Sequence, residues 1–182
     1  CNFTFAMKEI IQSLATQYQE ELIAVRRYLH AHPELSFEEV ETAKFIASKL
    51  QEFGIEHQTN IGGNGIVGYI KGKNPDSKTI ALRADIDALP IFEKNNCSYT
   101  SQNEGVMHAC GHDVHTTCLL GAAKILNQIK EELNGTIKLI FQPAEEKLPG
   151  GASIMIKEGV LKNPTVESIY GQHVLPQLET GK

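Results

Sequence analysis

Apolar residues recur every three or four positions between residues 11 and 29 of the chain. This spacing is typical of one face of a long amphipathic helix. The helix should end at His32, because the residue before a proline is pushed out of the helical region and Pro33 follows. Ser36 followed by two glutamates predicts the start of a second helix, which the apolar positions carry to about residue 54.

The pattern then alternates between strands and helices. Residues 65–70 and 79–85 are predicted strands, joined by "KGKNPDS", a turn-rich connection typical of a hairpin. Residues 116–129 and 151–158 follow a helical pattern, while 135–142 and 168–174 are predicted strands. Such alternation predicts an α/β layered fold with a mostly parallel central sheet. We find no repeat, low-complexity tract or linker in the sequence.

Composition narrows the class of protein. The chain has 182 residues, of which 41% are hydrophobic and 21% charged, as in a single globular domain. A net charge of -5, with no basic cluster longer than Arg26-Arg27, argues against nucleic acid or an anionic membrane as partner. The absence of a membrane-length apolar run and of a signal-peptide pattern predicts a cytoplasmic protein. We interpret Met7 as the native start and residues 1–6 as a cloning remnant or a disordered segment.

Four clusters of reactive side chains lie where a predicted strand ends or a helix begins, which is where open α/β sheets bind ligands. The first is "RADIDALP", in which Asp85 and Asp87 are two residues apart and should leave the strand pointing together. A turn capped by an aspartate before Pro90 explains the same segment equally well.

The second cluster, "MHACGHDVHTTC", places three histidines, two cysteines and an aspartate within twelve residues. Cys110 and His112 have a spacing that suits a loop wrapping a metal, although a buried structural cysteine is the simpler alternative. Asp113 is expected to cap the following helix or to orient a ligand histidine. His108 and His115 are interpreted as supporting or structural residues, since further ligands would overfill the site.

The same cysteine also permits a different chemistry, with Cys110 as a nucleophile and His112 as its base. This alternative is weaker, because side chains two residues apart on a loop do not readily meet in that geometry. Four cysteines in all are sparse for a disulfide scaffold, so ligation or burial is favoured over bridging.

The third and fourth clusters supply acids and another imidazole. In "FQPAEEKLPGG", Glu145 and Glu146 follow a predicted buried strand, so neither should be an ordinary solvated carboxylate if Phe141 is in the core. Adjacent residues in an extended chain point apart, which suits one carboxylate on a metal and another facing an activated water. A solvated charge pair is the alternative. In "YGQHVLP", His173 ends a predicted strand, where a lone histidine is more often a core residue than a ligand.

Together with "RRYLHAHPELSFEE", the motifs "RADIDALP", "MHACGHD", "QPAEE" and "GQHV" resemble the amidohydrolase branch of the aminoacylase and carboxypeptidase metallohydrolase superfamily. That branch includes hippurate hydrolases, N-acyl-amino-acid amidohydrolases and indoleacetyl-amino-acid hydrolases. The resemblance implies a three-layer, zinc-exopeptidase-like catalytic domain with a mostly parallel mixed sheet. It also implies two divalent metal ions, which could be zinc, manganese, cobalt or nickel.

The resemblance assigns roles residue by residue. The residues that match the metal ligands are Cys110, as a bridging thiolate, and the terminal ligands His112, Glu146 and His173. Glu145 matches the general base, and Asp87 matches a residue that supports the site without binding metal. Asp85 stands where the wider superfamily has a ligand histidine, which is a departure from the pattern.

The activity implied is hydrolysis of the amide bond of N-acyl amino acids or related conjugates, with the glutamate base activating a metal-bound water. The alternatives are an N-acetyldiaminopimelate deacetylase, a dipeptidase, or an inactive metal-binding fragment. Family members are considerably longer, with a lid domain and one more ligand histidine, so residues 7–182 are expected to be the N-terminal part of the catalytic domain. The expected partner is a small N-acyl amino acid substrate, and the resemblance is compatible with a homodimer of the full-length enzyme.

Overall fold

The computed structural model describes residues 2–179, within which the chain forms helices and strands in alternation. In chain order they are α1 (Asn2–Ala31), α2 (Val40–Glu52), β1 (Glu56–Ile61), β2 (Gly65–Lys71), β3 (Thr79–Asp85), α3 (His112–Gln128), β4 (Thr136–Gln142), α4 (Gly151–Lys157) and β5 (Ser168–Gly171), with one 3-10 turn at Lys130–Glu132. No helix in this described part of the chain has the length and apolar content needed to cross a bilayer.

The strands form one mixed sheet in the order β1-β2-β4-β3-β5. Strand β3 runs parallel to both β4 and β5, whereas β1 pairs with β2, and β2 with β4, in antiparallel fashion. The expected α/β fold is therefore confirmed, but only the β4-β3-β5 half of the sheet is parallel.

The predicted hairpin between β2 and β3 is wrong, because β4 lies between these two strands. Every residue of β4 is buried, and a strand that is covered on both faces belongs in the centre of a sheet. The segment "KGKNPDS" thus connects strands that are not neighbours. Strand β1 was not predicted, since its exposed and mostly polar residues at the sheet edge carry no apolar alternation.

Element boundaries also differ from the expectations. Helix α2 begins at Val40 rather than Ser36, and the carboxylate of Glu34 accepts hydrogen bonds from the backbone N–H groups of Glu41 and Thr42 in its first turn. Strand β5 ends at Gly171, so residues 172–174 form a loop. Helix α1 begins at Asn2, inside the segment expected to be a remnant or disordered; residue 1 lies outside the described residues.

Helices cover both faces of the sheet, which gives the three layers expected of the fold. Helices α1, α2 and α3 pack on one face around a large apolar core that includes Leu50, Leu120 and Phe141. On the other face a smaller cluster joins α4, through Met155, to Val67 and Ile140. The parallel strands β4, β3 and β5 end at the same edge of the sheet, and the reactive residues follow these ends.

Candidate metal centre

Residues from the four clusters meet at the carboxyl edge of β4, β3 and β5. Three groups of potential metal ligands share His112, with the donor atoms of each group within 4.8 Å of one another: Cys110, His112 and His173; His112, Glu145 and Glu146; and Asp85, His112 and His115. The structure thus brings together all the residues that the sequence proposes as metal ligands, together with the proposed base.

His112 is held by one ring nitrogen and leaves the other without a partner. Its Nδ1 lies 2.9 Å from the backbone oxygen and 3.2 Å from the carboxylate of Asp87, so this nitrogen carries the proton and donates. Its Nε2 is buried and has no hydrogen-bond partner among residues 2–179. The nearest carboxylate oxygens, on Asp85 and Glu146, are each 3.7 Å away, too far for a hydrogen bond. A buried imidazole lone pair of this kind is suited to binding a metal ion.

Asp87 connects His112 to the loop that carries the two glutamates. Its carboxylate accepts hydrogen bonds from Ser36 Oγ at 2.6 Å and from the backbone N–H of Glu146 at 3.0 Å. Burial alone would raise the pKa of Asp87, but hydrogen bonds from His112, Ser36 and the Glu145 and Glu146 backbone lower it to about 2. Asp87 is therefore ionised, and its carboxylate contacts both the ring of His112 and the backbone of Glu146.

The lowered pKa of Asp87 predicts that the fold becomes less stable in acid. A carboxylate whose pKa is lower in the folded than in the unfolded state stabilises the fold above the unfolded value of 3.8, and that stability is lost as pH falls towards about 2. Between pH 3.8 and about 2, the free energy of unfolding of the wild-type chain should fall by about 2 kcal/mol more than that of Asp87→Asn, because the variant has no carboxyl group to titrate at this position. Urea unfolding of both metal-free proteins across this pH range measures the difference, and parallel pH curves would contradict it.

Cys110 and His173 face each other across the edge of the sheet. Cys110 Sγ lies 3.5 Å from His173 Nε2, and His173 Nδ1 donates to the backbone oxygen of Val174 at 2.7 Å, which leaves Nε2 as the lone-pair nitrogen. Gly111, between Cys110 and His112, has a φ of 83°, and a side chain there would collide with Val174. The loop conformation and the position of His173 thus depend on each other.

The thiol of Cys110 is protonated in the absence of a cation. Burial, a hydrogen bond to Glu146 and the negative charges of the surrounding carboxylates raise its pKa to about 11. Such a thiol is a poor nucleophile, which argues against the cysteine-nucleophile alternative. A divalent ion would reverse this effect, because a coordinating thiol loses its proton.

Glu145 and Glu146 differ from the expectation in two ways. Both are exposed, although Phe141 at the end of the preceding strand is fully buried as expected. Their carboxylates also do not point apart, since both reach the same donor group around His112. The reason is that the backbone bends here instead of continuing as a strand, and Ala144 has a φ of 46°.

Two of the remaining residues of the clusters, His115 and Asp113, have structural partners. His115 Nδ1 donates to Asp85 at 2.6 Å, and its Nε2 accepts the Val174 N–H at 3.0 Å, so neither nitrogen is free for a metal. Asp113 contacts Arg26 and His30 of α1 instead of His112, and the carboxylate that contacts the ring of His112 is that of Asp87. His108 is buried, and this lowers its pKa to about 4.

The donor set fits a divalent cation. Donor atoms about 2.1 to 2.3 Å from a tetrahedral ion lie about 3.5 Å apart. The Cys110–His173 separation is 3.5 Å and the His112–Glu146 separation is 3.7 Å, which match that spacing. Thiolate, imidazole and carboxylate are also the donor types that zinc accepts, and imidazole and carboxylate suit manganese, cobalt or nickel.

A comparison with protein families identifies the chain. Residues 81–182, more than half of its length, match the model of peptidase family M20/M25/M40. The chain belongs to this family. The matched region contains all four clusters of the site, and the expected relationship to the aminoacylase and carboxypeptidase superfamily is confirmed.

Similar members of the M20 family are amidohydrolases. The chain is 45% identical over 175 residues to the N-acyl-L-amino acid amidohydrolase of Geobacillus stearothermophilus, covering 96% of this chain and 46% of that protein. It is 49% identical over 158 residues to the hippurate hydrolase of Campylobacter jejuni, covering 87% of this chain and 40% of that protein. The chain therefore spans less than half the length of these relatives.

A solved structure supports the fold at similar identity. The YXEP protein of Bacillus subtilis, described as a dinuclear metal binding peptidase from the M20 family, is 48% identical to this chain. The two superpose with a TM-score of 0.84 over 90% of this chain and 45% of that one. The three-layer α/β architecture is thus that of an M20 catalytic domain.

Proposed function

We propose that this chain is part of a metal-dependent amidohydrolase that cleaves the amide bond of N-acyl amino acids or related conjugates. The observation that carries the proposal is the buried, unpartnered Nε2 of His112, next to a thiol and an acid at ligand spacing and with a second acid beside them. The names of the similar proteins, an N-acyl-L-amino acid amidohydrolase and a hippurate hydrolase, support this class of substrate.

The donor groups around His112 would hold two divalent ions, and the single free nitrogen of His112 can bind only one of them. Cys110 would bridge them, and His112, Glu146 and His173 would act as terminal ligands. When bound, such ions lower the pKa of water and stabilise the negative charge that develops on the carbonyl oxygen. The similarity of this chain to YXEP, which is described as a dinuclear metal binding peptidase, supports two ions rather than one.

Glu145 carries the proton transfers in this proposal. Its exposed carboxylate lies within reach of His112 and Glu146, so it can accept a proton from the water that attacks the amide carbon. The oxygen of that water forms the new bond to carbon, and the bond from carbon to nitrogen breaks. Glu145 then returns the proton to the leaving nitrogen, since an amine leaves far more easily than an amide anion.

The complete activity requires more than these residues. The relatives have more than twice the covered length, and we infer that residues 7–182 form the N-terminal part of the catalytic domain. A lid and a further ligand for one metal would come from the additional length. Acyl and amino-acid preference would be decided there too.

The test is an assay of the full-length gene product for release of free amine. Hippurate, N-acetyl amino acids, N-acetyldiaminopimelate and dipeptides are offered to metal-free protein with added manganese, zinc or cobalt. Metal-dependent cleavage that is fastest for hippurate or acetyl amino acids is expected. Faster cleavage of N-acetyldiaminopimelate or of dipeptides would show that the enzyme is a deacetylase of that compound or a dipeptidase instead. Metal binding without any cleavage would show an inactive metal-binding protein.

A further inference from the structure

The segment "HAHPELSFEE" contains a buried acid, Glu39, to which neither the metal centre nor the helix caps assign a role. Glu39 is 0% exposed although it is a glutamate next to the first residue of α2. It makes no side-chain cap to that helix, and the carboxylate of Glu34 caps the first turn instead. A buried carboxylate is costly unless its oxygens are hydrogen-bonded, so its partners show what it does.

Both oxygens of Glu39 bind groups from distant parts of the chain. Oε1 accepts the backbone N–H of Ala144 at 2.7 Å. Oε2 accepts the side-chain amide of Asn64 at 3.1 Å, and this amide also donates to the backbone oxygen of Phe37 at 3.1 Å. Glu39 thus joins the turn between β1 and β2 to the residue that immediately precedes the proposed base, Glu145.

Ala144 occupies a conformation that needs such support. Its φ of 46° lies in the left-handed region, which residues other than glycine adopt rarely and at a cost. It is fully buried, so its N–H has no water to bind if Glu39 is lost. On its other side the backbone oxygen accepts the N–H of Gly151 at 2.9 Å. These two contacts hold the bend that turns Glu145 towards His112.

We propose that Glu39 is a positioning residue, which holds Ala144 in its bend and thereby places the Glu145 carboxylate for proton transfer. This inference rests on the proposed function for its kinetic consequence, whereas the contact itself is independent of that function. It also explains why an acid is buried in a segment that lies far from the metal centre in sequence.

Glu39→Met tests the proposal in the full-length gene product, since it keeps the length of the side chain but removes both acceptors. We expect kcat to fall about 100-fold, as for a catalytic group displaced by about 1 Å, with KM and bound-metal content unchanged. The amide hydrogen of Ala144, followed by hydrogen exchange and fragment mass spectrometry, should exchange slowly in the wild type and rapidly in the variant.

Two further variants make the result specific. Glu39→Gln keeps an acceptor for Ala144 and loses only the contact with Asn64, whose amide nitrogen stays bound to the Phe37 oxygen. This variant should therefore restore slow exchange and most of kcat. Glu38→Gln alters the neighbouring exposed glutamate and should leave both unchanged. If Glu39→Met does not fold, Glu39→Asp replaces it, because this variant keeps the carboxylate but withdraws it by about 1.5 Å, the length of a carbon–carbon bond.

Slow exchange of Ala144 in Glu39→Met, or in Glu39→Asp where that replaces it, would overturn the proposal, as would an unchanged kcat. A fall in kcat that is accompanied by loss of bound metal or by a changed KM would also overturn it, because it would indicate a different role. If the wild-type protein hydrolyses no amide, the proposed function fails, and the exchange of Ala144 still decides whether Glu39 holds the bend.

Discussion

Replacing Glu145 by glutamine should lower kcat by about three orders of magnitude while both metal ions stay bound. The glutamine amide has nearly the same size as the carboxylate but cannot accept a proton at neutral pH, so it cannot take the proton of the attacking water or return it to the leaving nitrogen. Hydrolysis of hippurate or an N-acetyl amino acid by the full-length gene product measures the first effect, and elemental analysis of the same sample measures the second.

Two control variants distinguish the loss of the base from the loss of a metal ligand and from the loss of an unrelated carboxylate. Glu146→Gln removes a proposed ligand, so it should lower metal content as well as activity. Glu132→Gln alters an exposed residue in the 3-10 turn and should change neither. Near-normal turnover of Glu145→Gln with both metals in place would show that another group moves the proton, and loss of metal would show that Glu145 is a ligand.

The sequence predicts most helices and strands of this fold because their apolar patterns are strong. The long apolar stripe of α1 and the apolar residues of β4, which Lys138 interrupts, identify their elements without knowledge of the tertiary structure. The order of the strands, in contrast, is not predicted by the sequence, since β4 comes after β3 in the chain but lies between β2 and β3 in the sheet. Local turn residues could not reveal that pairing, because it depends on burial of β4 from both faces.

For the site, the sequence predicts which residues meet but not how they are held. Cys110, His112, Glu146 and His173 could be named because each follows a strand end or begins a helix, and such positions converge in α/β sheets. The pairing of His115 with Asp85, and of Asp113 with His30, could not be read from spacing. Those contacts cross between elements whose relative positions only the packed structure determines.

The segment "HAHPELSFEE" also makes contacts that its sequence pattern does not predict. Its pattern ends one helix and begins another, and nothing in that pattern distinguishes a capping acid from a buried one. In the structure Ser36 binds Asp87 behind His112, and Glu39 binds Ala144 before Glu145. The segment therefore contacts residues next to both the proposed ligand His112 and the proposed base Glu145, across more than 50 and 100 residues of chain, respectively.

Replacing Cys110 by alanine should remove the metal ions. The sulfur is the donor that the structure places beside His173 and Glu146, and its pKa of about 11 without a cation means that binding must displace its proton. Affinity for zinc should therefore fall at least about 100-fold. The wild-type affinity should rise with pH, because the thiol and His112 both lose protons more readily as pH rises. Burial lowers the pKa of His112, but its hydrogen bond to Asp87 and the neighbouring carboxylates raise it by more. Isothermal titration with zinc at several pH values measures both effects.

Cys118→Ala is the matched control for this loss of metal. Cys118 lies on α3 six residues beyond His112, is exposed, and carries a free thiol that is absent from the donor groups among the described residues. Its replacement should leave zinc affinity and pH dependence at wild-type values. Unchanged zinc affinity in Cys110→Ala would mean that the ions bind through His112 and the carboxylates alone. The thiolate bridge would then be wrong, while the unpartnered nitrogen of His112 would still require a ligand.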